Sequence, residues 1–164
     1  MKTLMALGCI AFATGVSMTP TADAGDLHLE SEFGQVSPSF VVNNLARTDQ
    51  DGISHEANIF QSGQGQEALI VQRGYYNLAE IDQVGQQHDA AVLQAGGYLE
   101  ASIAQSGYGH GATIEQRGVG KQASIVQSGV HGSASIMQVG STRRAPVEVI
   151  QHSRGQAAIQ VIQH

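Results

Sequence analysis

The sequence predicts an all-β protein, a two-sided β-solenoid whose strand-turn-strand coils stack in the cross-β manner. The first observation is a period of eleven residues that runs without a gap through eight consecutive units. The second is the spacing within each unit, where an alanine, an aliphatic β-branched residue, a glutamine and a glycine stand two residues apart. The third is the recurring glycine, which would break a helix in every unit.

Alternation with a period of two places the alanine, the aliphatic residue and the glutamine on one face of a strand. The first complete unit runs from Ala57 through Ile59 and Gln61 to Gly63. An eleven-residue repeat is also typical of a right-handed helical supercoil, but the repeated glycine excludes that alternative. Each unit is therefore predicted to contain about five strand residues and a turn that starts near the glycine. Two units then form one coil of 22 residues.

The glutamine column is the candidate templating site. A buried amide without a partner is costly, whereas identical glutamines stacked at strand spacing can hydrogen-bond to one another as a ladder. Only the two ends of such a stack keep unpaired amides and unpaired backbone groups. The predicted ladder and templating residues are Gln61, Gln72, Gln83, Gln94, Gln105, Gln116, Gln127 and Gln138, with Ile59, Ile81, Ile103 and Ile125 beside them. The predicted turn residues are Gly63, Gly74, Gly85, Gly107, Gly118 and Gly129.

Composition divides the chain into three parts. Residues 1–24 carry one positive charge, a short apolar run and a small-residue ending, which are the features of a secretory signal peptide. Residues 25–45 are a non-repetitive leader. Residues 46–164 are the repeat region, with regular repeats over 57–144 and a degenerate terminal coil over 145–164. Removal of the signal peptide would also remove Cys9, the only cysteine, so rigidity has to come from stacked repeats rather than disulfides.

Several function classes fit the sequence poorly. A net charge of −6 disfavours a nucleic-acid partner. The pattern Gly63-x-Gly65-x-x-Ala68 matches a dinucleotide-binding motif, but it leads into a strand and lacks the helix N-terminus that would face a pyrophosphate. No serine, histidine and acid show the spacing of a catalytic motif. The chain is therefore predicted not to be an enzyme and to need no cofactor.

Two histidines share one turn position on adjacent coils. His88 and His110 are separated by one coil length, so they are predicted to stack. A stacked pair can bind a metal, but no third ligand accompanies it. We therefore expect solvated turn histidines and no metal site.

The repeat resembles the curlin family. The motif is glutamine-x-glycine, a short turn and then Ala-x-Ile-x-Gln, in 22-residue pairs behind a signal peptide and a leader, and it covers about residues 46–164. The resemblance implies a secreted, extracellular functional amyloid in an outer-membrane-associated surface fibre, the fimbrium, with roles in adhesion and biofilm matrix. It also implies several partners: the major curlin subunit, further copies of the chain itself, the outer-membrane curli secretion channel with its accessory factors, and the cell surface.

Within this family, two segments resemble the minor subunit, which nucleates polymerisation of the major one. They are residues 76–83 (YNLAEIDQ) and 158–163 (AIQVIQ). Only Asn77 matches the asparagine that major subunits typically carry two residues before the alanine. On this analogy the regular coils are the template, and the last coil, roughly 141–164, attaches the chain to the surface. Residues of that attachment coil are Arg143, Arg144, Gln151, Arg154 and Gln163.

Two alternatives remain open. The first is a major curlin subunit that forms the body of the fibre. The second is a non-amyloid extracellular adhesin with a β-solenoid fold.

Overall fold

The computed structural model describes residues 43–140 and 145–164. Within these ranges the chain forms nine β-strands and no helix, and no helix there is long and apolar enough to cross a membrane. The predicted signal peptide lies outside the described residues, as do most of the leader and the pair Arg143 and Arg144. The strands are β1 (Leu45–Ile53), β2 (Glu56–Gln64), β3 (Glu67–Tyr75), β4 (Leu78–Gln86), β5 (Asp89–Gly97), β6 (Glu100–Tyr108), β7 (Gly111–Val119), β8 (Gln122–Gly140) and β9 (Val147–Gln163).

The strands are longer than the expected five residues. Each strand from β1 to β7 has nine residues and continues through the repeat glycine. The reason is register: Gly63 of β2 lies opposite Gly85 of β4, so parallel pairing persists past the glycine. β8 and β9 go further, and each runs through two repeat units and the corner between them.

All strand pairs are parallel, and they build the predicted two-sided solenoid. One side stacks β1, β3, β5, β7 and then the second half of β8. The other side stacks β2, β4, β6 and then the first half of β8. β9 lies on β8 along both halves and closes the stack at the C-terminal end. Between β1 and the first half of β8 the partners stand one 22-residue coil apart, as for Gln61 and Gln83.

The core lies between the two sides and consists of the repeated inward columns. The isoleucines of the regular coils are fully buried, with Ile70, Ile81 and Ile103 at 0% exposure. Alanines such as Ala79 lie beside them and let the two sheets approach closely. Burial of each isoleucine contributes about 1.5–3 kcal/mol to stability. Because every coil packs only on its neighbours, the same small core recurs in each coil of the stack.

The corners require glycine for a steric reason. A Cβ atom built on Gly85 would lie 2.0 Å from the carbonyl oxygen of Gly107 in the next coil. The same backbone has a φ of +131° at Gly85, a conformation that L side chains rarely adopt. The repeat glycine is therefore a condition for stacking coils at β-sheet distance.

The terminal coil departs from this pattern. In β9 the residue that lies opposite Gly129 is Ser153. The register then shifts, because Val130 lies opposite Arg154 whereas Gly132 lies opposite Ala157. β9 therefore contains one more residue than β8 at this corner, which is a β-bulge.

Candidate templating site

Two glutamine ladders run through the interior, one on each side of the solenoid. In both, Nε2 of a glutamine donates to Oε1 of the glutamine one coil further on, at 2.7–3.0 Å. One ladder contains Gln61, Gln83, Gln105, Gln127 and Gln151. The other contains Gln50, Gln72, Gln94, Gln116, Gln138 and Gln163. The structure thus places all eight predicted ladder glutamines in contact with neighbours of their own kind.

Most ladder amides also bond to the backbone of the opposite side. The second N–H of Gln83 donates to the carbonyl oxygen of Glu67 at 3.1 Å, and that of Gln105 donates to Asp89 at 3.2 Å. The separation is sixteen residues in both cases, so each bond connects one sheet to the start of a strand in the other. The repeat spacing does not predict these bonds, because it fixes columns within a sheet and not contacts across the coil.

The ladders have a direction. Every amide nitrogen points toward the C-terminal coil and every amide oxygen toward the N-terminal coil. At the N-terminal end, no residue in the described ranges donates to Oε1 of Gln61. At the C-terminal end, Nε2 of Gln151 donates to the carbonyl oxygen of Ala157 at 2.9 Å. The two ends of the solenoid therefore present different chemical groups.

A second internal column lies at the corners, two residues before each alanine. Asn77 is the reference: its Oδ1 accepts from the backbone N–H of Leu99 at 3.2 Å, and its Nδ2 donates to the carbonyl of Arg73 at 3.2 Å. His88 has the same arrangement, with Nδ1 accepting from the N–H of His110 at 3.3 Å. This column links the corners of successive coils much as the glutamines link the sheets.

The expectation that these histidines are solvated is wrong. His88 and His110 are each 1% exposed, and their rings stack 5.3 Å apart. Burial lowers the pKa of His88 below its ordinary value, the Val84 carbonyl partly offsets this by raising it, and His110 lowers it further. The His88 side chain lies inside the corner, where its Nε2 bonds to the Val84 carbonyl oxygen four residues earlier, at 3.1 Å.

Metal binding is not supported at this pair. Each ring nitrogen of His88 and His110 is engaged with the backbone, so no lone pair is left for a cation. In addition, no group of three or more metal-ligating side chains occurs in the described part of the chain.

Tyrosines form one exposed cluster at a corner. Tyr76 and Tyr98 stack with ring centroids 5.3 Å apart, and Tyr75 packs edge-on against both. The cluster covers two adjacent coils and leaves all three rings in contact with solvent.

The attachment residues predicted in the last coil lie in different environments. Gln151 and Gln163 are the last members of the two ladders, so they belong to the interior columns. Arg154 is exposed on β9 beside the bulge. The structure therefore separates the glutamines, which continue the ladders, from the arginine, which faces outward.

The edges of the stack are the remaining feature. β1 pairs only with β3, and β2 pairs only with β4, so within the described ranges each has one unpaired side. β9 likewise pairs only with β8. A row of unpaired N–H and C=O groups can receive another strand where the corner beside it keeps the geometry of the stack.

Comparison with known proteins points to one family. No curated protein and no solved structure matches the chain. The family model described as the curlin associated repeat matches residues 67–96 and 76–107, which include β3 to β6. The chain therefore carries curlin-associated repeats, and these support its place in the curlin family.

Proposed function

We propose that this chain is the minor structural subunit of curli fibres and nucleates polymerisation of the major curlin at the bacterial cell surface. The observation that carries the proposal is an in-register parallel β-stack whose interior hydrogen bonds continue to its outer strands. A regular coil at such an edge is a template for an identical pattern.

Templating proceeds through backbone and side chain together. An incoming unfolded curlin pairs its backbone with the edge strand and thereby fixes its register. In that register Ala57, Ile59 and Gln61 of β2 receive the alanine, the isoleucine and the glutamine of the incoming repeat. A shift by one residue would turn the incoming glutamine outward and leave the ladder amide without a partner. The edge thus selects chains with the same repeat.

The proposed setting follows the family. The chain is secreted through the outer-membrane curli channel with its accessory factors, and it remains at the cell surface as part of the fimbrium. The last coil, including Arg154, provides the attachment, while the regular coils remain available for templating. The role is structural, in adhesion and biofilm matrix, with no catalytic step and no cofactor.

The corner column supports a minor over a major subunit. Asn77 makes the full set of corner bonds, whereas Leu99, one coil further on, has no polar side-chain atom to continue them. A fibre body that grows by many identical additions benefits from uniform corner columns. A chain that starts the fibre once can depart from them.

Seeding tests the proposal directly. Substoichiometric purified chain is added to soluble major curlin, and thioflavin T fluorescence is followed with time. We expect a shorter lag, whereas an unchanged lag would contradict nucleation while leaving the curlin family in place. Deletion of residues 147–164 tests attachment separately, because the truncated chain should be recovered from the medium instead of the cell surface.

A further inference from the structure

We infer that the two edges of the solenoid are unequal: the outer edge of β1 and β2 accepts a further curlin-repeat coil, whereas the outer edge of β9 is closed to one. This inference deepens the proposed function and rests on it. The partner that fits the open edge is a curlin-repeat chain whose own last coil keeps the corner glycine.

The N-terminal edge keeps the geometry of the interior. Gly52 and Gly63 have φ angles of +135° and +127°, within the range of +105° to +137° that the other repeat glycines show. The carbonyl oxygen of Gly63 faces outward from this edge and accepts from Asn44 at 3.1 Å. Inside the stack, Gly85 accepts from Gln66 in the same manner, also at 3.1 Å. Asn44 thus takes beside Gly63 the place that Gln66 takes inside the stack, and a coil added at this edge meets glycines with the interior backbone geometry.

The C-terminal edge does not keep that geometry. Two corner columns of glycines run through the stack, and in the one that contains Gly129 the next member is Ser153. Ser153 does not share the positive φ of the glycines. Its side chain is 5% exposed, and its Oγ donates to the carbonyl oxygen of Val130 at 2.9 Å, so it points into the protein. The bulge at residues 155–156 then displaces the rest of the strand.

The consequence is steric and concerns the next coil. In the interior, a corner carbonyl of the following coil occupies the space that a Cβ on the glycine would fill. The carbonyl oxygen of Gly129, for example, lies 2.1 Å from the position that a Cβ on Gly107 would take. Ser153 carries a Cβ and lacks the positive φ of the glycines, so it does not leave the space that the carbonyl of a following coil needs. A regular coil placed on β9 would lose its corner pairing and, beyond the bulge, its register.

The direction of the stack then determines the partner. Parallel in-register stacking preserves chain direction, so an incoming chain meets β1 and β2 with its own C-terminal coil. A second copy of this chain that met this edge with its β9 would present the Ser153 corner and would fit poorly. A curlin-repeat chain that ends in a regular coil presents glycine, and its glutamine amide donates to the outward Oε1 of Gln61.

Proline substitution tests which edge is used. Leu45 donates its N–H to Gln66 in the next coil, so the alternating N–H of Thr48 faces outward from the N-terminal edge. Glu67 donates its N–H toward the C-terminal side of the stack, to His88. The same alternation, carried through the strand register into β9, places the N–H of Gln160 outward at the C-terminal edge. Thr48→Pro and Gln160→Pro therefore block one edge each without removing an interior backbone hydrogen bond.

The readout is seeding by the full-length chain. The probe is a soluble polypeptide made of tandem copies of residues 89–110, which ends in a regular coil. We expect Thr48→Pro to lower seeding by at least about tenfold, with Gln160→Pro close to wild type. Loss of seeding in Gln160→Pro with retention in Thr48→Pro, or equal effects of both, would overturn the inference alone. Failure of the wild type to seed would overturn the proposed function as well.

A repaired corner provides a gain-of-function test that does not depend on a damaged variant. Ser153→Gly combined with deletion of Gly155 restores the glycine and removes the extra residue. We expect this variant to polymerise alone, with a lag at least about threefold shorter than wild type, because one steric barrier to self-stacking is gone. Deletion of Gly155 alone is the matched control. An unchanged lag in the repaired variant would show that the β9 corner does not close the edge.

Discussion

Nδ1 of His88 accepts a hydrogen bond from the backbone N–H of His110, one coil further on, across 3.3 Å. Nδ1 of His110 accepts in turn from the N–H of Gly132 at 3.0 Å. Nε2 of each ring faces a carbonyl oxygen, that of Val84 or Ser106, at 3.1 Å. The His88 ring is therefore neutral in this arrangement, with the proton on Nε2. His88, whose pKa is lowered, thus carries a part of the stack that a glutamine or asparagine would carry without titrating.

This arrangement predicts that acid weakens the stack. The pKa of His88 is lowered in the folded chain, so the unfolded chain binds a proton more readily. The contribution of His88 to stability is complete above its unfolded value of 6.5 and is lost as pH falls from 6.5 through the folded pKa. Within that window the free energy of unfolding should fall by up to about 1.4 kcal/mol per pH unit. Denaturant midpoints between pH 8 and pH 5 are the measurement.

Asparagine provides the matched control for this prediction. His88→Asn and His110→Asn together keep an acceptor and a donor at the corner, as Asn77 does. They remove the titration of His88 together with the neighbouring imidazole that lowers its pKa. The double variant should lose most of the dependence on pH below 6.5 and keep its stability at pH 8. An equal acid response in the variant and the wild type would assign the effect to carboxylates elsewhere.

Glycine substitutions should separate corners that need glycine from those that do not. In Gly85→Ala the new methyl group would lie 2.0 Å from the Gly107 carbonyl oxygen, on a backbone with a φ of +131°. We expect a loss of at least about 3 kcal/mol in the free energy of unfolding and a slower assembly. Gly111→Ala is the matched control, since a Cβ there has nothing within 4 Å.

Stability of the two alanine variants is measured by denaturant unfolding, and assembly by thioflavin T. The Gly111→Ala chain should differ from wild type by less than about 1 kcal/mol, on the stabilising side, because alanine restricts the unfolded chain. Similar losses in both variants would mean that strand propensity, and not contact between coils, sets the requirement for glycine.

The repeat period determines most of this fold at the level of sequence. Alternation from Ala57 through Ile59 to Gln61 predicts which side chains face inward, and the eleven-residue period predicts parallel columns one coil apart. Both follow from strand geometry, which allows only two faces and one stacking distance. These features depend on local periodicity alone, so a single sequence suffices.

Other features depend on the shape of the corner and could not be predicted from the sequence. The bonds from Gln83 to the Glu67 carbonyl and the burial of His88 depend on how closely the two sheets meet at a turn. The continuation of strands through Gly63 depends on pairing with the neighbouring coil. The inward position of Ser153 depends on the bulge beside it. None of these distances is encoded in the spacing of residue types.

The last prediction concerns the energy of the ladder itself. Gln83→Leu removes one hydrogen bond from each of three interior groups: Nε2 of Gln61, Oε1 of Gln105 and the carbonyl oxygen of Glu67. Nε2 of Gln61 keeps its second bond, to the carbonyl oxygen of Leu45. Oε1 of Gln105 loses its donor, which costs about 1–3 kcal/mol, and each of the other two lost bonds costs about 0.5–1.5 kcal/mol. The apolar leucine offsets part of the loss. We expect a net destabilisation of about 2–4 kcal/mol and a longer assembly lag. Gln86→Leu is the control, since that glutamine is exposed on the same strand.

A double-mutant cycle distinguishes a ladder from independent amides. Gln83 and Gln105 share one hydrogen bond of 2.9 Å, so replacing both by leucine removes that bond once and creates no orphan between them. The double variant should therefore lose less stability than the sum of the single variants, with a coupling energy of about 1 kcal/mol. Additive losses would show that each amide acts mainly through its bond to the opposite backbone. Unchanged stability and assembly in all three would show that backbone pairing and isoleucine packing suffice to hold the coils in register.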